Sequence, residues 1–165
     1  TERNMDLTAA RARELFFYDP LTGKMTWRVS LNARAPAGAQ AGTLGHNGRL
    51  RVTISGRRYL VHRVAWLMTF GHWPDDEVDH KNLIPSDNRL CNLRVATHSQ
   101  NNANKSPSRD LPKGVSFEPR TGRWRSRIRV ARKEIALGHF DTMTAAHEAY
   151  ARAAEEHFGA FARAA

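Results

Sequence analysis

The chain has 165 residues, with 26 Lys and Arg against 16 Asp and Glu, a formal net charge of +10 and an isoelectric point near 10.8. That length holds one medium domain or two small ones and excludes a large multidomain enzyme. No apolar run approaches the roughly 20 residues that cross a bilayer, and the basic balance points to a polyanion, nucleic acid first.

A hydrophobic fraction of 41% beside 25% charged residues fits a folded soluble protein. The one cysteine, Cys91, excludes an intramolecular disulfide and the multi-cysteine zinc frames, so no structural zinc is expected and any metal has oxygen or nitrogen ligands. The opening Thr1 to Asp6 carries no basic segment leading into an apolar core, so no secretory signal is read and a cytoplasmic location is expected.

In chain order, Thr8 is the N-cap candidate of a short helix to Tyr18, with Ala12, Leu15 and Phe16 on one face, stopped by Asp19-Pro20. Met25 to Val29 reads as extended, and Leu31 to Gly48 as loop. Arg49 to Ile54 and Tyr59 to Val61 flank Ser55-Gly56 and read as a hairpin. His62 to Phe70 is predicted as a buried helix ending at Gly71. Val78-Asp79-His80 is a short strand, a polar loop runs to Asn92, Leu93 to Ala96 is a second strand, and a helix begins at Thr97 or Ser99. Two prolines mark Ser106 to Pro112 as a linker. Beyond it come strands at Gly114 to Phe117, Trp124 to Val130 and Ile135 to Leu137, with turns at Arg120-Thr121-Gly122 and Ala131-Arg132. A helix from Thr144 to His157 follows, striped by Ala146, Ala149, Tyr150, Ala153 and His157.

Chemistry concentrates around Asp79 and His80. Cutting a phosphodiester needs a metal to polarise the phosphate, a base for water and a group that holds the base. Val78-Asp79-His80, Asn92-Leu93-Arg94 and Gln100-Asn101-Asn102 supply such types, and neighbours on a strand face opposite sides, so Asp79 and His80 can serve metal and water separately. An Asp-His pair alone is commonly a surface pair, and an asparagine-rich loop is commonly turn chemistry. The ordered set carries the assignment.

Tyr59 to Arg63, Glu77 to His80, Asp87-Asn88-Arg89, Cys91 to Arg94 and Thr97 to Asn104 together resemble an HNH endonuclease of the phage and intron-homing type, from about Arg49 to Lys105. The resemblance implies His80 as general base, Asp79 and Asn101 as metal ligands, and Asn92 as the asparagine that fixes the loop and orients His80. Asn88 and Asn102 are further candidates. Asn101 stands where many relatives have histidine, which favours one Mg2+ or Mn2+ over a softer ion. His62 reads as a structural hydrogen-bonding residue. His46, His72, His98, His139, His147 and His157 share no ligand spacing, and Ser99 and Cys91 give no support to covalent catalysis.

Arg120 to Lys133 holds seven basic residues and no acid, and within it Arg123, Arg125, Arg127 and Arg129 alternate with Trp124, Ser126, Ile128 and Val130. One strand face is then an arginine comb suited to double-stranded DNA. Lys113-Gly114-Val115, Gly122 to Arg125, Arg127-Ile128-Arg129, Leu137 to Phe140, Thr142, Ala145-Ala146, Ala149-Tyr150, Ala153-Ala154 and Phe158-Gly159 resemble an AP2 domain, from Lys113 to about Ala162. The resemblance implies a three-stranded antiparallel sheet on one helix, with Trp124, Ile128, Leu137, Phe140, Tyr150 and Phe158 in the core and the comb on DNA. Ser116, Glu118 and Ala136 stand where the plant transcription factors have Arg, Arg and Trp, so plant target specificity is not carried over.

The expectation is an α+β chain: residues 1–106 with a helix and hairpin ahead of a ββα-metal HNH core at about 59–105, a linker at 107–112, and an AP2-like domain at 113–165. The function read from it is a metal-dependent HNH DNA endonuclease of a bacterial or phage-infected cell, with no membrane partner and RNA disfavoured because Trp124 and Tyr150 fall on faces predicted buried. Oligomeric state stays open, a monomer suiting a nick and a dimer a double break. The alternative is a DNA-binding regulator that keeps the fold without cutting.

Overall fold

The computed structural model describes residues 7–105 and 111–162. It is a mixed helix and sheet architecture in two compact units, Thr1–Val95 and Ala96–Ala165. Of the linker read at 107–112, only Leu111 and Pro112 are among the described residues.

In the first unit, Thr8 caps α1 (Ala9–Leu15) by accepting from the Arg11 backbone N–H. The predicted helix to Tyr18 is cut short, because Phe16–Tyr18 form β1 instead and pair antiparallel with β2 (Met25–Trp27). The reason is aromatic packing across the pair: Phe16 lies opposite Trp27 with ring centroids 4.6 Å apart, and both are buried. Part of the stretch read as loop is also strand, since β3 (Thr43–Leu44) pairs with β4 (Leu50–Ile54). β4 continues into β5 (Arg57–Leu60) through Ser55 and Gly56, both at positive φ as a two-residue hairpin turn requires. α2 (Val61–Phe70) then lays Val61, Val64, Ala65 and Leu67 into a core shared with Leu15, Phe16, Met25, Trp27, Val52, Val78 and Leu93. It ends at Gly71, whose left-handed φ of 83° closes the helix, as the sequence predicts. β6 (Glu77–His80) and β7 (Leu93–Ala96) form a separate two-stranded sheet joined by the loop that carries the asparagines.

The second unit opens with α3 (His98–Asn104), begun by a capping box between Thr97 and Gln100. β8 (Val115–Glu118), β9 (Arg123–Val130) and β10 (Lys133–Phe140) form an antiparallel sheet in the order β10-β9-β8. The Ala131-Arg132 turn between β9 and β10 holds both residues at positive φ. α4 (Met143–Phe158), capped by Thr142, packs Tyr150, Ala153, Ala154 and Phe158 with Ile128 of β9 and Ala103 of α3. His157 of the expected stripe is exposed and Phe158 takes its place in the core. Trp124 is also less buried than expected, half-covered against Phe117 at 5.0 Å.

Gly114 is where this packing is tightest. It has φ +71°, and a Cβ there would lie 2.3 Å from the Arg127 carbonyl oxygen and within van der Waals overlap of the Tyr150 ring. Gly114→Ala is therefore expected to lower unfolding free energy by about 3 kcal/mol, through clash and strained φ together. Denaturant unfolding of the full chain measures it, and an unchanged midpoint would contradict the close approach.

Candidate functional site

β6 delivers Asp79 and His80 at its C-terminal end, both only 4% exposed. Asp79 Oδ2 accepts from Arg94 Nε of β7 at 3.0 Å, an ion pair the sequence reading did not name. The signal for it was partly present: Arg94 lies on the strand read at Leu93 to Ala96, which the structure pairs with β6. His80 Nε2 and Asn88 Oδ1 are 3.1 Å apart. With the Asn88 amide oxygen facing it, which can only accept, Nε2 is assigned the ring proton and Nδ1 is the basic nitrogen of that tautomer. Burial pushes the His80 pKa down, outweighing the Asn88 hydrogen bond that raises it, with Arg49 pushing the same way as burial and Asp79 and Asp87 opposing. The ring is thus kept neutral around neutral pH.

The loop between the strands is fixed from inside by Asn92. Its Oδ1 accepts from the Asn82 backbone N–H at 3.0 Å, and its Nδ2 donates to Asn82 Oδ1 at 2.9 Å and to the Asp87 carbonyl at 2.8 Å. Asp87 is clamped in turn by Asn82 and Arg89, and the Arg89 bonds hold its carboxyl well below the usual carboxylate range. This network holds Leu83 at φ 64°, a left-handed conformation costly for a branched side chain. Asn92 therefore fixes the loop, while the side chain bonded to His80 is Asn88, named from sequence only as a further candidate.

Asn88 is also gripped from outside the loop. The Tyr18 hydroxyl donates to the Asn88 carbonyl at 2.8 Å, and the Leu90 N–H donates to the Pro20 carbonyl at 3.0 Å. Burial and the nearby Asp19 push the Tyr18 pKa up to about 12, which keeps the phenol a donor. Gly23, at φ +74°, lets the β1–β2 turn come so close that a Cβ would meet the Arg89 nitrogen and the Asn88 carbonyl carbon at 2.4 and 2.6 Å. Sequence reading had no signal for this contact, which joins segments some 70 residues apart.

His62 packs its ring edge-on to His80, with centroids 4.9 Å apart and an interplanar angle of 75°. Expected to hydrogen-bond, it is 2% exposed, and its Nδ1 has no hydrogen-bond partner among the described residues. Asn88 Nδ2 is likewise buried without one.

In the second unit, Asn101 is buried on α3 and Asn102 is exposed. The comb of β9 forms as predicted in its alternation, Ser126 and Ile128 being buried between the arginines. Its charges, however, are partnered. Arg123 pairs with Asp141 at 3.1 Å, and Arg125 and Arg127 share Glu134 at 3.1 and 3.2 Å. The described residues give Arg129 no ion pair.

Residues 59–103 match the family model of HNH endonucleases, the segment that holds Asp79, His80, Asn88, Asn92 and Asn101. A stretch of 42 residues is 55% identical to APETALA2-like protein 2 of Oryza sativa, in both subspecies indica and japonica, covering 26% of this chain and 10% of the rice protein. An AP2-like ethylene-responsive transcription factor of Arabidopsis thaliana is similar to the same extent, 55% over 42 residues, covering 26% of this chain and 9% of that protein. The chain thus spans about a tenth of the length of the curated relatives it matches. No solved structure matches it. Among the described residues no helix is long and apolar enough to cross a membrane.

His62 gives the first unit a definite acid response. Burial, with His80 and nearby arginines adding, lowers its pKa to about 3, against about 6.5 for the unfolded chain. Between those values the unfolded state binds a proton that the folded state refuses, so stability is complete above pH 6.5 and falls as the pH drops toward 3. The His62 part of the slope is about 1.4 kcal/mol per pH unit. Denaturant unfolding from pH 7 to 4 should show a shallower slope in His62→Leu, and identical slopes would contradict a neutral buried ring.

Proposed function

We propose that the chain is a metal-dependent endonuclease that hydrolyses phosphodiester bonds of double-stranded DNA, residues 1–106 carrying an HNH nuclease domain of homing type. Residues 113–165 are proposed as its AP2-like DNA-binding domain, joined through 107–112. The observation that carries the reading is His80 at the end of β6, neutral, with Nε2 on Asn88 and its loop fixed by Asn92, inside the segment that matches HNH endonucleases.

Held that way, His80 accepts a proton from water at Nδ1 as the water oxygen bonds to phosphorus and the bond to the 3′ oxygen breaks, the released 3′ oxygen taking its proton from solvent. Asn88 keeps the ring in that tautomer, and Tyr18 steadies Asn88 through its carbonyl. Asp79 and, by the resemblance, Asn101 are the proposed holders of one Mg2+ or Mn2+, which supplies charge stabilisation at the leaving oxygen. The donor types, a carboxylate and an amide oxygen, suit a hard cation, although among the described residues no group of three or more His, Cys, Asp or Glu is placed to hold an ion. Arg123, Arg125, Arg127 and Arg129 are the proposed DNA contacts.

A second reading, a DNA-binding regulator without cutting activity, is favoured by two features: Arg94 occupies Asp79 Oδ2, and Asp79 and His80 are 4% exposed. Incubation of supercoiled plasmid with the full chain, with Mg2+ or Mn2+ and with chelator, separates the two. The nuclease reading predicts ion-dependent nicking, reduced on the order of a hundredfold or more in His80→Ala with duplex affinity unchanged, and abolished in Asp79→Ala. Tyr18→Phe should slow nicking roughly tenfold, equally without loss of affinity. A wild-type chain that binds duplex yet leaves it intact with either ion would instead support the regulator.

A further inference from the structure

The DNA-binding face of β9 is not a uniform positive stripe. Glu134, the second residue of β10, sits directly opposite Arg129 in the hairpin register. Its carboxylate nevertheless turns along the sheet to Arg127, with Oε1 and Oε2 3.3 and 3.2 Å from Nη1, and to Arg125 Nη2 at 3.1 Å. One carboxylate thus holds the two central arginines of the comb. The pairs are open to a ligand, side-chain exposure being 40% for Arg125, 45% for Arg127 and 35% for Glu134. Ion pairs this exposed are weak, so a group that offers the carboxylate a donor of its own while accepting from the arginine can displace them.

We propose that Glu134 is a specificity-determining residue of this face, withholding Arg125 and Arg127 from backbone phosphates and yielding them to base edges. The proposal rests on the DNA-binding reading above. A phosphate approaching either guanidinium meets the carboxylate within about one ion-pair distance, and the like charges repel. A guanine·cytosine pair meets no such penalty: arginine donates to guanine O6 and N7, while a carboxylate beside it accepts from cytosine N4. Arginine and glutamate adjacent on neighbouring strands can therefore read both partners of one base pair. Non-specific contact gains nothing from Glu134, because phosphate offers no donor to it.

The test uses binding isotherms of the full chain on a random duplex, a guanine·cytosine-rich duplex and an adenine·thymine-rich duplex, at several salt concentrations. Glu134→Gln should bind the random duplex roughly three- to tenfold tighter, with the salt slope steeper by about one unit, and should discriminate less between the other two. Glu148→Gln on α4 makes the same charge change away from the comb and should alter neither slope nor discrimination. Glu134 is exposed, and thermal unfolding of Glu134→Gln and Glu134→Ala confirms that each variant is folded before binding is compared. Unchanged or weaker binding by both Glu134 variants, or an equal gain in Glu148→Gln, would overturn the proposal. A wild-type chain that binds no duplex at any salt concentration would overturn the DNA-binding reading itself.

Discussion

The hydrogen bond between His80 and Asn88 is the constraint around which the first unit is organised. An imidazole buried at the end of a strand loses its hydration, and it stays useful as a base only if one nitrogen is given a fixed partner and the other keeps its lone pair. Asn88 supplies that partner, but a loop asparagine is itself mobile unless its backbone is held. Asn92 and Asn82 hold it from within the loop, and the Tyr18 hydroxyl and the Gly23 turn hold it from the hairpin. The β1–β2 hairpin lies outside the segment that matches HNH endonucleases, so part of the support for the proposed base comes from chain ahead of that match.

The second unit answers a different physical demand. Four arginines on alternate positions of one strand repel one another, and in the absence of a polyanion something must offset that repulsion. Glu134 and Asp141 do so across the β9–β10 hairpin. A net charge of +10 therefore overstates how positive this face is locally. Association with any polyanion is favoured by the chain's long-range field, which these carboxylates reduce locally at the comb.

Features with local periodicity were legible in the sequence. The β9 alternation, the Ser55-Gly56 and Ala131-Arg132 turns, the Gly71 stop and the Asp79-His80 strand follow from spacing and turn chemistry alone. What was not legible depends on partners distant in the chain. Phe16 to Tyr18 continues a helical pattern locally and becomes strand because Trp27 and Met25 offer aromatic and apolar partners. His62 has the residue type of a hydrogen-bonding group, yet tertiary packing places it against His80 with Nδ1 lacking a partner among the described residues. Within the site, asparagine spacing marked the loop but did not separate Asn92, which ties the loop, from Asn88, which touches His80. The comb was visible as a run without acids from Arg120 to Lys133, and its modulation was not, because Glu134 lies one residue beyond that run and acts across the hairpin.

The assignment of His80 as base stands on the protonation state its surroundings impose, and that state is directly observable. Nitrogen-15 NMR of the histidine rings across pH reports both the tautomer and the titration of His80, with His80→Ala identifying its signals. A neutral ring at pH 7 with the proton on Nε2, titrating below 6.5, is the expected result. A proton on Nδ1 in the neutral ring, or an imidazolium persisting at pH 7, would contradict the assignment.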